Sequence, residues 1–131
     1  MLPTIEWKGD CVVMIDQRKL PASEVYVTCR TASEMAKAIK TMVIRGAPAI
    51  GVAAAMGIAL GTRRSKGTGT KQCATEFQKT CDLMAATRPT AVNLFWAIDR
   101  MKQTFASAAQ AGCSVAEIKD RLEAEAQRIH D

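Results

Sequence analysis

The sequence predicts an α+β fold: a small N-terminal antiparallel β-meander followed by a bundle of about five α-helices. Three observations carry that reading. Residues 1–30 hold short β-prone runs separated by turn chemistry. From Thr31 onward apolar residues recur at helical spacing, and Thr31-Ala-Ser-Glu34 and Ser114-Val-Ala-Glu117 both match the capping box. Strands and helices do not alternate, which excludes a doubly wound parallel sheet for this stretch of chain.

The elements follow in order. Residues 5–7, 11–15 and 24–28 read as strands, with Gly9-Asp10 and Asp16-Gln-Arg-Lys-Leu-Pro21 as the turns between them. After the Thr31 cap, Met35, Ile39 and Met42 mark a first helix ending near Ile44, because Gly46 breaks it and Pro48 begins another. That second helix runs to about Gly61 and consists almost wholly of small and aliphatic residues. A third, from about 71 to 86, carries Ala74, Phe77, Cys81 and Met84 along one face. The fourth starts at Pro89 or Thr90, with the Thr90 hydroxyl as its cap, and runs to about 111. Its stripe is Val92, Phe95, Ile98, Met101 and Phe105, and Gly112 ends it. The last helix buries Val115, Ile118, Leu122 and Ile129. The whole reads as one domain, residues 1–131, with the meander in 1–30 and the helices in 31–131.

Composition narrows the function. The chain has 131 residues, about half apolar and a quarter charged, which excludes disordered and collagen-like classes. No charged n-region and apolar stretch opens it, so no signal peptide is expected. The longest uncharged run, 46–61, is too short and too rich in Ala and Gly to span a bilayer. It reads as a helix buried in protein, and no membrane partner is expected. Five cysteines, an odd number, show no C-x-x-C spacing, and the only histidine is His130. This excludes a zinc site or a disulfide framework, leaves the cysteines as small buried hydrophobes, and places the protein in the cytoplasm. The net charge of +5 favours an anionic ligand. The basic stretch Arg63-Arg64-Ser65-Lys66, with Lys71 beyond two glycines and no aromatic, reads as a solvated loop. No nucleic-acid partner is expected from it.

Two places combine arginine, proline and the start of a helix. In Arg45-Gly46-Ala47-Pro48, unpaired N–H groups and the positive end of the helix dipole suit a phosphate or carboxylate. Gly46 permits a close backbone approach, Ala47 keeps it uncrowded, and Arg45 adds a charge-assisted contact. In Thr87-Arg88-Pro89-Thr90, Arg88 again stands at a helix start, where a cation opposes the dipole unless an anion lies between them. The competing reading of each is a helix corner with a surface arginine. Nothing assembles a catalytic apparatus: there is no Ser-His-Asp or Cys-His set, no phosphate-binding loop and no dinucleotide fingerprint. Asp99 is expected to pair with Arg100 or Lys102. No catalytic residue, metal ligand or cofactor is assigned.

Asp16-Gln-Arg-Lys-Leu-Pro21, Met42-Val-Ile-Arg-Gly-Ala-Pro-Ala-Ile-Gly51 and Thr87-Arg-Pro-Thr-Ala-Val-Asn-Leu94, followed by Trp96-Ala97, resemble the methylthioribose-1-phosphate isomerase family in order and approximate spacing. The Arg-Gly-Ala-Pro-Ala-Ile-Gly string is shared with regulatory subunits of translation initiation factor 2B and with ribose-1,5-bisphosphate isomerase. The other two strings favour the methionine-salvage enzyme. The resemblance implies conversion of 5-methylthioribose 1-phosphate to 5-methylthioribulose 1-phosphate, without a cofactor, in a homodimer. It also implies that Arg45, Gly46, Ala47 and Arg88 contact the phosphorylated sugar. Family members are longer, and their catalytic cysteine and aspartate lie in a second, Rossmann-like domain. None of Cys11, Cys29, Cys73, Cys81 or Cys113 stands in the family's Cys-Asn-Thr-Gly setting. The chain therefore reads as an N-terminal domain or fragment, inactive alone and partnered by the missing C-terminal domain. The alternatives are an initiation-factor 2B type regulatory or assembly subunit and a related ribose-1,5-bisphosphate isomerase.

Overall fold

The computed structural model describes residues 5–44, 46–65 and 69–130, apart from the side chain of Ala47. Strands β1 (Ile5–Lys8), β2 (Cys11–Ile15) and β3 (Tyr26–Cys29) form an antiparallel sheet in the order β1-β2-β3. Ile5 lies opposite Met14 and Val12 opposite Cys29, so one face of the sheet supplies apolar side chains to the core. Gly9, with φ of 68°, turns the β1–β2 hairpin. β3 begins at Tyr26, two residues after the expected start.

Between β2 and β3 the chain makes a 3₁₀ turn at Gln17–Lys19. Asp16 caps it, accepting hydrogen bonds from the Arg18 backbone N–H (3.0 Å) and from Arg18 Nε and Nη2 (3.0 and 2.8 Å). Although Asp16 is buried, its charge is thus matched by the bidentate fork of a neighbour two residues away. The next N–H, of Gln17, donates to Val43 O at 2.8 Å and ties the meander to the helical part.

Helix α1 (Ala32–Lys40) opens on the predicted capping box: Glu34 N–H donates to Thr31 Oγ1, and Thr31 N–H to Glu34 Oε1, both at 3.1 Å. It ends at Lys40, not near Ile44. Val43 N–H reaches Ala38 O (2.9 Å) and Met42 N–H reaches Ile39 O (3.2 Å), with Met42 at φ of 66°. This closes the helix in a Schellman arrangement without a glycine. Burial of Val43 and Ile44 accompanies the unusual backbone at Met42.

Helix α2 (Ala47–Arg63) is buried on every side from Ala49 to Leu60. A helix apolar all round belongs inside other elements, and the structure surrounds it with α1, α3 (Thr70–Ala85), α4 (Val92–Gln110) and α5 (Val115–His130). It continues two residues past Gly61. Arg63 therefore lies on the helix and pairs with Asp120 (2.9 Å) and Glu123 (2.8 Å) of α5, instead of standing in a solvated loop. Residues 66–68 of that basic stretch lie outside the described residues.

Helix α3 buries Cys73, Phe77, Cys81 and Met84, and Phe77 stacks on Phe105 of α4 at 4.4 Å. Helix α4 corrects the predicted start and phase. Pro89 and Thr90 sit in a turn closed by Ala91 N–H to Arg88 O (2.9 Å), and Ala91, not Thr90, occupies the cap position with no side-chain bond. The buried stripe is Leu94, Ala97, Ile98, Met101, Phe105 and Ala108, whereas Val92 is 79% exposed and Phe95 37%. Two apolar stripes overlap in this sequence, and the one containing small alanines packs closest to α2. Arg100 pairs with Glu125 of α5 at 2.8 Å, not with Asp99. Gly112, at φ of 77°, closes α4 as expected.

Helix α5 starts on the second capping box, with Glu117 N–H to Ser114 Oγ (3.2 Å) and Ser114 N–H to Glu117 Oε1 (3.0 Å). It buries Ile118, Leu122 and Ala126, with Val115 and Ile129 half-buried beside them. His130 is buried, its Nε2 lying 2.8 Å from Ile5 O, so the last helix is fastened to the first strand. Cys11, Cys29, Cys73 and Cys81 are buried, Cys113 is half-buried, and all five are free thiols. Burial pushes Cys29 up to about 11 and Cys81 to about 12, which keeps both protonated and inert near neutral pH. Among the described residues no helix is long and apolar enough to cross a membrane, and no group of three metal-ligating side chains occurs.

Two predictions follow from this packing. A Cβ on Gly61 would stand 2.9 Å from Ala32 Cβ and 3.0 Å from Thr80 Cγ2. Gly61→Ala gains about 1 kcal/mol of helix propensity but overpacks against two helices at about 1–3 kcal/mol. A net loss of up to about 2 kcal/mol is expected, read as a lower urea midpoint; a higher midpoint contradicts the packing. The second concerns Asp16, whose carboxyl is held below its ordinary value chiefly by hydrogen bonds from the Arg18 side chain. The unfolded chain takes up this proton more readily, so Asp16's contribution is complete above the unfolded value and lost as pH falls through the folded one. Asp16→Asn should lower stability near neutral pH and flatten the acid-side decline below about pH 4, measured by urea midpoints across that range.

Candidate functional site

The helices that follow the two arginine-proline motifs meet near their starts. A Cβ on Gly51, in the second turn of α2, would lie 3.1 Å from the carbonyl oxygen of Asn93 in the first turn of α4. The missing side chain lets the two helix starts abut, which sequence spacing alone does not require.

Each start is open. Gly46 caps α2 with φ of 95° and ψ of 136°, a conformation that side-chain-bearing residues rarely adopt, and no side chain caps the helix. Apart from its chain neighbours, no atom of the described residues lies within 4 Å of the place a Cβ would occupy at Gly46. Pro48 stands in the first turn and no acidic residue does. At α4, Ala91 likewise offers no side-chain bond. By contrast, Thr31 and Ser114 satisfy the first N–H groups of α1 and α5. Helix α3 also lacks a side-chain cap, so openness alone does not mark a site; the adjacency of α2 and α4 does.

Of the four predicted contacts, Gly46 and Arg88 are described in full. Arg45 and the side chain of Ala47 lie outside the described residues. Thr87 is buried and donates from Oγ1 to Met84 O at 2.6 Å, which anchors the segment just before Arg88. Arg88 is half-buried, and its Nη1 is a buried donor without a hydrogen-bond partner among the described residues. Leaving such a donor unmatched is costly, and an incoming acceptor would relieve the cost.

Beside the two helix starts lies a cleft of about 460 Å³ lined by Pro48, Gly51, Asn93, Trp96, Ile129 and His130, among others. Arg88 is not among its lining residues. Trp96 is 52% exposed, an aromatic wall open to solvent. Among the described residues the lining contains no pair of carboxylates, and its one titratable group, His130, lies within bonding distance of Ile5 O. Such a surface can hold and orient a ligand; it offers no acid–base pair. Sequence reasoning missed His130, whose strand partner is 125 residues away in the chain. Trp96 could have been found from its place just after the Thr-Arg-Pro-Thr string.

Comparison with known proteins bears on this geometry. Residues 43–131 match the Initiation factor 2 subunit family. The methylthioribose-1-phosphate isomerase of Koribacter versatilis is 52% identical over 99% of this chain, and that of Geobacter metallireducens 51% over 98%. Each alignment covers 36% of the relative, so the chain spans little more than a third of their length. Among solved structures, 5-methylthioribose 1-phosphate isomerase from Pyrococcus horikoshii superposes with a TM-score of 0.92 at 40% identity, covering 98% of this chain and 36% of that one. The delta subunit of translation initiation factor eIF-2B from A. fulgidus superposes at 0.88 and 38%, with the same coverage. With the match running through both helix starts and every helix after them, the chain belongs to the Initiation factor 2 subunit family.

Proposed function

We propose that this chain is the substrate-positioning part of an aldose–ketose isomerase that converts 5-methylthioribose 1-phosphate to 5-methylthioribulose 1-phosphate in methionine salvage. The observation that carries the reading is the abutment of two open helix N-termini at Gly51 and Asn93, each preceded by an arginine. Backbone N–H groups near Gly46 and Ala47, together with Arg45 and Arg88, bind the phosphate and sugar oxygens. The identity of 45–52% to proteins named methylthioribose-1-phosphate isomerase supports the choice of substrate.

The reaction explains the division of labour. A phosphate on C1 blocks ordinary opening of the sugar ring to a free aldehyde. The ring opens with the phosphate retained, and hydrogen then moves from C2 to C1. The substrate is its own oxidant and reductant, so no redox cofactor enters. The contribution of residues 1–131, acting as one domain, is to fix the sugar and neutralise its charge. The acid and base come from the remainder of a longer polypeptide, in an enzyme that works as a cytoplasmic homodimer.

A chimera tests this: residues 1–131 replace the matching segment of the Koribacter versatilis isomerase. The chimera should turn over 5-methylthioribose 1-phosphate, and the 131-residue chain alone should not. Arg45→Lys and Arg88→Lys should each lower kcat/KM about ten- to a hundredfold, because an ammonium cannot reproduce a bidentate guanidinium contact. Undiminished turnover in both variants removes the arginines from the site. A folded but inactive chimera favours a non-catalytic subunit, the reading that the likeness to the initiation-factor delta subunit supports.

A further inference from the structure

One to two turns along α4 and α5 from the cleft, the same two helices enclose a separate groove of about 430 Å³. Helix α4 contributes Arg100, Gln103 and Ser107, and α5 contributes Arg121, Glu125 and Arg128. Glu125 is only 4% exposed, yet it carries a carboxylate. Its Oε1 accepts from Arg128 Nη1, and its Oε2 lies 2.8 Å from Arg100 Nε, out of line for a hydrogen bond. The buried carboxylate draws both guanidinium groups to the groove before any ligand arrives. Arg100 is held further by Trp96, 5.7 Å from its guanidinium carbon.

The groove's charge is not balanced. Three guanidinium groups face one carboxylate. Neither the Nη groups of Arg100 nor any donor of exposed Arg121 makes a hydrogen bond among the described residues, although Arg121 is drawn electrostatically to Glu117 one turn before it. Gln103 and Ser107 add an amide and a hydroxyl between the charges. We propose that this groove is a second anion site, distinct from the α2–α4 helix starts, that binds the dianionic phosphate of a small phosphorylated metabolite. The guanidinium charge in excess of Glu125, softened at Arg121 by Glu117, attracts the charge of about −1.5 to −2 that a phosphate monoester carries near neutral pH. The planar forks match its oxygens.

The test titrates the 131-residue chain with inorganic phosphate at fixed ionic strength, replacing chloride, and follows the arginine Nε–Hε resonances. Saturating shifts at Arg100, Arg121 and Arg128 are expected. Arg121 makes no hydrogen bond or ion pair among the described residues and only a solvent-exposed attraction to Glu117, so Arg121→Ala should weaken binding about tenfold while moving the urea midpoint little. If the three arginines serve only to clamp α4 to α5, the shifts stay linear or Arg121→Ala leaves them as they were. Shifts confined to Arg45 and Arg88 would place the phosphate at the helix starts. Any of these three results overturns the proposal.

Discussion

The close approach of neighbouring helices to α2 is the constraint on which the rest of the structure depends. At Gly57 a Cβ would stand 2.7 Å from Met84 Cε and 3.1 Å from Met35 Cβ, and at Gly51 and Gly61 the clearances are similar. With no side chain at these points, α1, α3 and α4 come within van der Waals reach of one central axis, and the dispersion gain is collected around its whole circumference. The same helix has no polar face. Its neighbours therefore keep their own polar residues outward and send alanine, methionine and isoleucine inward. The scarcity of aromatic residues in the chain agrees with that geometry: there is little room for rings between helices this close.

What was legible in the sequence was local. The two capping boxes, the Gly112 stop and the apolar faces of α3 and α5 depend on residues within a turn or two of each other, and each stands where the pattern put it. The end of α1 was not legible, because a helix closed by methionine in the left-handed region carries no glycine signal; the stop depends on burying Val43 and Ile44. The phase of α4 was ambiguous, since Val92 and Leu94 start equally plausible stripes and only the packing against α2 selects between them. Arg63 was misread because its partners Asp120 and Glu123 are far away in sequence. The motifs of the candidate site were visible as strings, but their meeting at Gly51 and Asn93 was not.

The arginines of this chain sort themselves by what their donors already hold. Arg18 spends Nε and Nη2 on Asp16, and Arg63 bridges two carboxylates of α5; both are structural ties. Arg88 keeps a buried donor unmatched in the first approach to α4, where the dipole makes a cation unwelcome. A buried donor left wanting an acceptor among the described residues sets binding energy aside at that spot. The caps follow the same division, with side chains closing α1 and α5 but neither α2 nor α4.

The fastening of His130 to Ile5 has a consequence for synthesis on the ribosome. Residues leave the exit tunnel in order, so the apolar α2 emerges about fifty residues before α5 begins to cover it. At ordinary elongation rates that interval is roughly 3–10 s, long compared with helix formation or collapse. During it the nascent chain carries a greasy, fully formed rod with only part of its sheath. The polar covering of α5 and the latch to β1 arrive only after that interval. This order makes the unfinished chain a natural client for chaperones that grip exposed apolar helices.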